Sequence, residues 1–203
     1  MTEPNVADWP TTECNMPDLS RLDSKKVLTH ALNRTFAGGG SKDPVAVALS
    51  MNFIRLTDHL IFEYESCRRQ ILEFISKGHD SHLLPYFRAV CHMETAVTTM
   101  HRAIRLAQRL RNMKLAVPVP VPKRVAIFTA TVENQVRNVR DSIEHVYNQI
   151  TKETRMVGVP NCLTLNINHL ECEGHKIKYA DFAGWIRQLD PIALALASYK
   201  EPS

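Results

Sequence analysis

Between residues 44 and 152 apolar side chains return every three or four positions, in three separate runs. That spacing belongs to helices that each bury one face, because positions three and four apart lie above one another on a turn of 3.6 residues. The first run holds Val47, Met51, Ile54, Leu56, Leu60, Ile61, Tyr64, Cys67, Ile71, Leu72 and Ile75. Asp43-Pro44 gives it an N-cap and a proline at the first helical position, and Gly78 is placed to stop it. The second run, Leu84, Phe87, Val90, Met93, Val97, Met100, Ile104 and Leu110, reads as a helix capped by Asp80 or Ser81 and ending near Arg111. The third, over residues 124–152, places Val125, Phe128, Val132, Val136, Val139, Ile143, Val146 and Ile150 on a stripe narrow enough for a core or a dimer seam. Three such stripes must hide against one another, so the predicted fold class is mainly α, an antiparallel helical bundle of long helices.

The flanks differ. Residues 1–43 form an N-terminal arm: Pro4, Pro10 and Pro17 break any period up to Leu22, a short helix is predicted over 24–34, and Ala37-Gly38-Gly39-Gly40-Ser41 is a flexible joint. Between the second and third helices, Val117-Pro118-Val119-Pro120-Val121-Pro122 predicts a stiff polyproline II spacer. Residues 153–203 change period. Leu163, Leu165 and Ile167 alternate with polar residues, Glu173-Gly174 marks a turn, and Ile177 and Tyr179 alternate again, which predicts a β-hairpin. A last helix begins at Asp181, holds Trp185, Ile186 and Leu189, and is broken or kinked by Pro191. The division is therefore an arm (1–43), a helical domain (44–152) and a hairpin plus helix packed on it (153–203).

With 203 residues and 44% apolar content the chain is long enough for one well-buried core. Unbroken apolar runs stay far below the roughly 18 residues that span a bilayer, and the first eight residues have no apolar signal region. The expectation is a soluble, cytoplasmic protein with no membrane partner. Cys14, Cys67, Cys91, Cys162 and Cys172 are odd in number and form no CxxC pair, which suits a reducing compartment. A net charge of +4 permits a phosphate-rich partner without demanding one.

The chemistry concentrates in Arg140-Asp141-Ser142-Ile143-Glu144-His145. An imidazole moves a proton near neutral pH and a guanidinium holds a phosphate, which together nearly suffice to cut RNA without metal or cofactor. Arg140 and His145 are about 140° apart on a straight helix, so one helix alone does not join them. Arg137, Asp141 and His145 lie within roughly 80° of one another, so Asp141 is placed to orient His145. Packing of the same helix from a second subunit would complete the cleft, and on that view Val139→Glu yields an inactive monomer. Arg102, Arg105, Arg109 and Arg111 form a basic run on the second helix, suited to a polyanion track or to offsetting the helix dipole.

The stretch Val136-Arg137-Asn138-Val139-Arg140-Asp141-Ser142-Ile143-Glu144-His145 resembles the signature of the HEPN superfamily: an arginine, a polar residue, then a histidine after four to six intervening positions. Over residues 44–152 the resemblance implies an all-helical domain that dimerises through the motif helix and acts as a metal-independent endoribonuclease, a toxin or antiviral effector restrained by an antitoxin protein or a regulatory RNA. It implies that His145 is the general base or acid, that Arg140 binds the phosphate and that Asp141 positions both. Arg137, Asn138, Arg105 and Arg109 are the further RNA-binding candidates. The competing reading from the residues is that Arg140–Glu144 and Arg137–Asp141 are ordinary ion pairs on a helix. The alternative function is a non-catalytic HEPN-like helical module that binds RNA or pairs with an antitoxin. Two other groupings carry less. His169, Cys172 and His175 have a spacing that would suit zinc, but the hairpin alternation already accounts for them, so no metal site is expected. His92, Glu94 and His101 would face a cleft from the second helix.

Overall fold

A computed structural model describes residues 10, 12–22, 41–77, 83–115, 117–151 and 163–201, with backbone alone for 146–151. The helix predicted over 24–34, the glycines 38–40, Gly78, Asp80 and Ser81 lie outside the described residues. The chain is mainly helical with a small antiparallel sheet: α1 (Pro44–Lys77), α2 (Leu84–Asn112), a 3-10 turn (Ala126–Phe128), α3 (Ala130–Thr151), β1 (Thr164–Leu165), β2 (His169–Cys172), β3 (His175–Lys178) and α4 (Tyr179–Ser198).

Helix α1 starts as its first residues dictate. The Asp43 carboxylate accepts from the amides of Val45 and Ala46 at 2.8 and 2.9 Å, and Pro44 takes a position where no amide is needed. Removing that cap with Asp43→Ala is expected to cost about 1 kcal/mol, which lowers Tm by about 2–4 °C in a chain of this size; an unchanged calorimetric midpoint would count against the cap. The stripe from Ile54 to Ile71 is buried and is completed by Phe53 and Phe74. Leu72, placed on the stripe by its spacing, instead faces outward with Phe62, because a residue next to Ile71 is turned 100° away from the buried line. Helix α1 is long and apolar enough to cross a membrane by length and composition, with a mean hydropathy of 1.3 over 18 residues. A search for unbroken runs misses it because Arg55, Asp58 and His59 interrupt it.

Helix α2 begins at Leu84 with Leu83 as an N-cap that has no side-chain cap bond, not at Asp80 or Ser81; Pro85 in its first turn fixes the start. Leu84 and Phe87 are exposed, not core, since the buried phase runs through Tyr86, Ala89 and Met93. Ala89, Ala96 and Ala103, seven residues apart and fully buried, form a small-residue strip, and α2 packs along α1 and against α3.

The valine–proline segment is not a solvated spacer. Val119 and Val121 are buried, and the Val121 amide donates to the Val119 carbonyl at 2.8 Å, closing a three-residue turn around Pro120. The helix expected from Arg124 opens as a 3-10 turn instead. The Thr129 hydroxyl donates to the Ala126 carbonyl and accepts from the Val132 amide, so the α-helix restarts at Ala130. Val132, Val136 and Val139 then insert into this chain's own core, which removes them as a dimer seam.

The expected hairpin is a three-stranded sheet in the order β1-β2-β3. Residues 163–168 read as one strand because the two-residue alternation continues, but Asn166 pairs its amide with the His169 carbonyl and the chain turns back there. Leu165 then pairs with Leu170, and Leu170 with Ile177. Glu173 and Gly174 have φ of 51° and 82°, the left-handed pair that a two-residue hairpin turn requires. Helix α4 starts at Tyr179, two residues before Asp181, and runs through Pro191 to Ser198 unbroken; Leu189, Ile192, Ala193 and Leu196, buried on both sides of the proline, hold it. The described part of the arm has no core of its own. Met16 and Leu19 are buried, Tyr64 and Arg68 donate to the carbonyls of Pro17 and Met16, and the Asn15 amide donates to Ile167.

Candidate functional site

The residues around the motif meet in a groove of about 880 Å³ between three helices. Helix α2 gives the floor, with Arg102, Arg105 and Arg109 at helical spacings of three and four. Helix α1 contributes Asn52, Arg55 and Leu56 on one side, and Arg140 of α3 stands on the other. Gln108 and Asn112 add amides, and among the described residues no acidic side chain and no Phe, Tyr or Trp lines the groove.

Charge within the groove is unevenly balanced. Arg105 bonds the Glu133 carboxylate at 3.2 Å and Gln108 donates to the same carboxylate at 2.7 Å; these contacts, the amide first, hold Glu133 below the usual carboxylate range. Arg140 has partners at both terminal nitrogens, while its buried Nε has none among the described residues. One terminal nitrogen meets Asp141 at 2.8 Å and Glu144 at 2.7 Å, and the other meets Nδ1 of His101 at 3.3 Å. Arg102 and Arg109 have no ion pair among the described residues, and Arg55 reaches only the Asn52 amide, at 3.5 Å.

The pair expected from the motif is not assembled within this chain. Asp141 holds Arg140 rather than orienting His145, because its carboxylate lies beside the guanidinium that the helix brings next to it. His145 is exposed, is not part of the groove lining, and makes no hydrogen bond among the described residues. Of the other RNA-binding candidates, Arg105 and Arg109 line the groove, while Arg137 and Asn138 do not. Arg111 is structural: it lies 5.6 Å over the Phe128 ring and donates to the Lys123 carbonyl. Arg55 and Asn52 were missed, since a lone arginine on the polar face of α1 carries no signal until the helix rotation is known. Among the described residues no group of three His, Cys, Asp or Glu side chains is placed to hold a metal ion.

The imidazole beside Arg140 is His101. A guanidinium only donates, so Nδ1 of His101 accepts, and the ring is neutral with its proton on Nε2. Burial first, then Arg140 and Arg105, push this imidazole below its ordinary value of 6.5, outweighing Asp141 and Glu133. The unfolded chain therefore takes up a proton at His101 at higher pH than the folded one. Stability falls as pH drops through 6.5 and levels off below the folded value. His101→Gln should flatten that dependence between about pH 7.5 and 5.5 in urea melts; identical pH dependence in both proteins would refute the assignment. The chain matches no known protein family, no curated protein and no solved structure.

Proposed function

We propose that this protein binds single-stranded RNA through the groove between α1, α2 and α3, and that it is a metal-independent ribonuclease of the kind the Arg140–His145 motif resembles. One observation carries the binding: Arg55, Arg102 and Arg109 converge on one concave surface without an acidic partner among the described residues. Like charges held this close repel in the free protein, and a polyanion relieves the repulsion. His101, with its proton on Nε2, adds a neutral donor for a phosphate oxygen. Without an aromatic platform the groove takes the sugar–phosphate backbone rather than stacked bases, so binding tolerates many sequences. Asn52 and Asn112 offer amides to ribose hydroxyls.

The cleavage part rests on the motif resemblance. It includes an antiparallel bundle of the long helices and a homodimer, which would meet on the outward face of α3 because Val136 and Val139 are already covered. The role of toxin or antiviral effector, restrained by an antitoxin protein or a regulatory RNA, belongs to the same proposal. The test is the purified chain with EDTA and a fluorescent single-stranded RNA, read by polarisation for binding and by gel for cleavage. Binding that is absent at low salt would sink the groove reading. A second reading, a non-catalytic RNA-binding module, is favoured by the position of His145 outside the groove; it predicts binding without cleavage.

A further inference from the structure

One and two turns along α1 from Arg55, a second group of titratable side chains spans α1 and α2. Glu63 is buried, with its side chain 10% exposed, and lies between two imidazoles. Nδ1 of His92 stands 2.6 Å from one carboxylate oxygen, and Nε2 of His59 stands 3.6 Å from the other. A carboxylate only accepts, so His92 donates from Nδ1, which in the neutral ring leaves the lone pair on Nε2. This is the reverse of His101, whose tautomer is fixed by a donor. His92 is the imidazole held ready to take a proton, on a ring 33% exposed.

Neither histidine lines the groove itself; both lie farther along α1 and α2. His59 follows Arg55 by four residues on the same face of α1, about 6 Å along the axis. His92 precedes Arg102 by ten residues, about 15 Å. A strand seated on Arg55 and Arg102 and continuing along the α1–α2 seam covers that distance in about four nucleotides at a stacked rise of 3.4 Å.

We propose that His92, positioned by Glu63, is the general base that cleaves RNA held in the arginine groove, and that His59 is the general acid. This rests on the RNA reading of the groove and seats the cleavage in these two histidines in place of the Arg140–His145 motif. Nε2 of His92 takes the proton of a ribose 2′-hydroxyl, whose oxygen attacks the adjacent phosphorus. The P–O5′ bond breaks as the new O2′–P bond forms, and the leaving oxygen takes a proton from the His59 imidazolium. The products are a 2′,3′-cyclic phosphate and a 5′-hydroxyl, with no net change in oxidation state and no metal. Glu63 touches no reacting atom; it is a positioning residue that fixes the tautomer and stabilises the imidazolium.

The experiment uses the full chain in EDTA with a fluorescent single-stranded RNA and the same strand made entirely of 2′-deoxy nucleotides. Wild type should cut the RNA to cyclic-phosphate ends and leave the deoxy strand whole. His92→Ala should lower the rate on the order of 100-fold or more while RNA affinity stays within about two-fold. Where alanine loosens the α1–α2 contact, His92→Gln keeps a donor for Glu63 and should be equally slow. Glu63→Gln keeps a polar partner for His92 but not the charge, and it should lower kcat while KM for the RNA stays within about two-fold, a split that a packing role would not produce. Cleavage at the wild-type rate by either His92 variant or by Glu63→Gln, cutting of the deoxy strand, or RNA binding without cleavage by wild type each overturns the proposal. Failure to bind RNA at all overturns the groove reading instead.

Discussion

Val139→Glu is expected to unfold the protein rather than to release a folded monomer. Val139 is fully buried within one chain, between Val136 and the partly buried Ile143 on the α3 stripe. Substitution removes about 1.5–3 kcal/mol of apolar burial and puts a carboxylate into a fully buried apolar position, at a cost of several kcal/mol more. The sum exceeds about 4 kcal/mol, against a total stability on the order of 5–15 kcal/mol for a domain. Helical circular dichroism should be largely lost at 25 °C, or the urea midpoint should fall sharply. A folded variant with a wild-type melt would mean that α3 does not pack on its own chain. Arg137→Glu, on the exposed side of the same helix, is the fitting probe of a dimer face and should leave the melt within about 0.5 kcal/mol.

The second large effect is on binding. Arg55→Ala, Arg102→Ala and Arg109→Ala together should reduce affinity for single-stranded RNA on the order of 100-fold at 0.1 M salt. Each phosphate contact on a single strand contributes about 0.7 to the slope of log K against log salt, so three lost contacts remove about 2 from the slope and about two decades of affinity relative to 1 M. Polarisation titrations across a salt series measure both quantities. Since none of the three arginines has an ion pair among the described residues, the variant should keep or slightly raise the wild-type Tm. An unchanged salt slope would place the RNA elsewhere on the surface. Arg140→Ala makes the contrast: its guanidinium already serves Asp141, Glu144 and His101, so its loss should disturb α3 more than the salt slope.

What could be read from the sequence follows the range of the interactions. The start of α1 is legible because Asp43 caps amides two and three residues away. The Glu173-Gly174 turn is legible for the same reason. The stripe of α3 is legible as a buried face, yet whether a stripe is covered by its own chain or by another copy depends on helix packing that no local pattern encodes. Periodicity also has no means of stopping itself: it carries the first strand through Asn166, where a local turn bond to His169, three residues on, reverses the chain without breaking the alternation. The site divides in the same way. Arg105 and Arg109 announce themselves by spacing on one helix. The partners that give the histidines their chemistry, Arg140 for His101 and Glu63 for His92, come from other helices, and only the relative rotation of those helices decides which nitrogen is left free.

The alanine strip on α2 bears on how a ligand would be received. Ala89, Ala96, Ala103 and Ala107 are fully buried and let α2 sit deep between α1 and α3, so its backbone amides should be among the last in the molecule to exchange with deuterium. Arg102, Arg105 and Arg109 are mounted on that frame. Capture of an anion then orders only side chains, about 0.5–1.5 kcal/mol of lost rotamer freedom for each, with no backbone to fold on contact. The floor of the groove is a stiff receptor that a flexible strand must conform to, so the entropic cost of association falls on the strand.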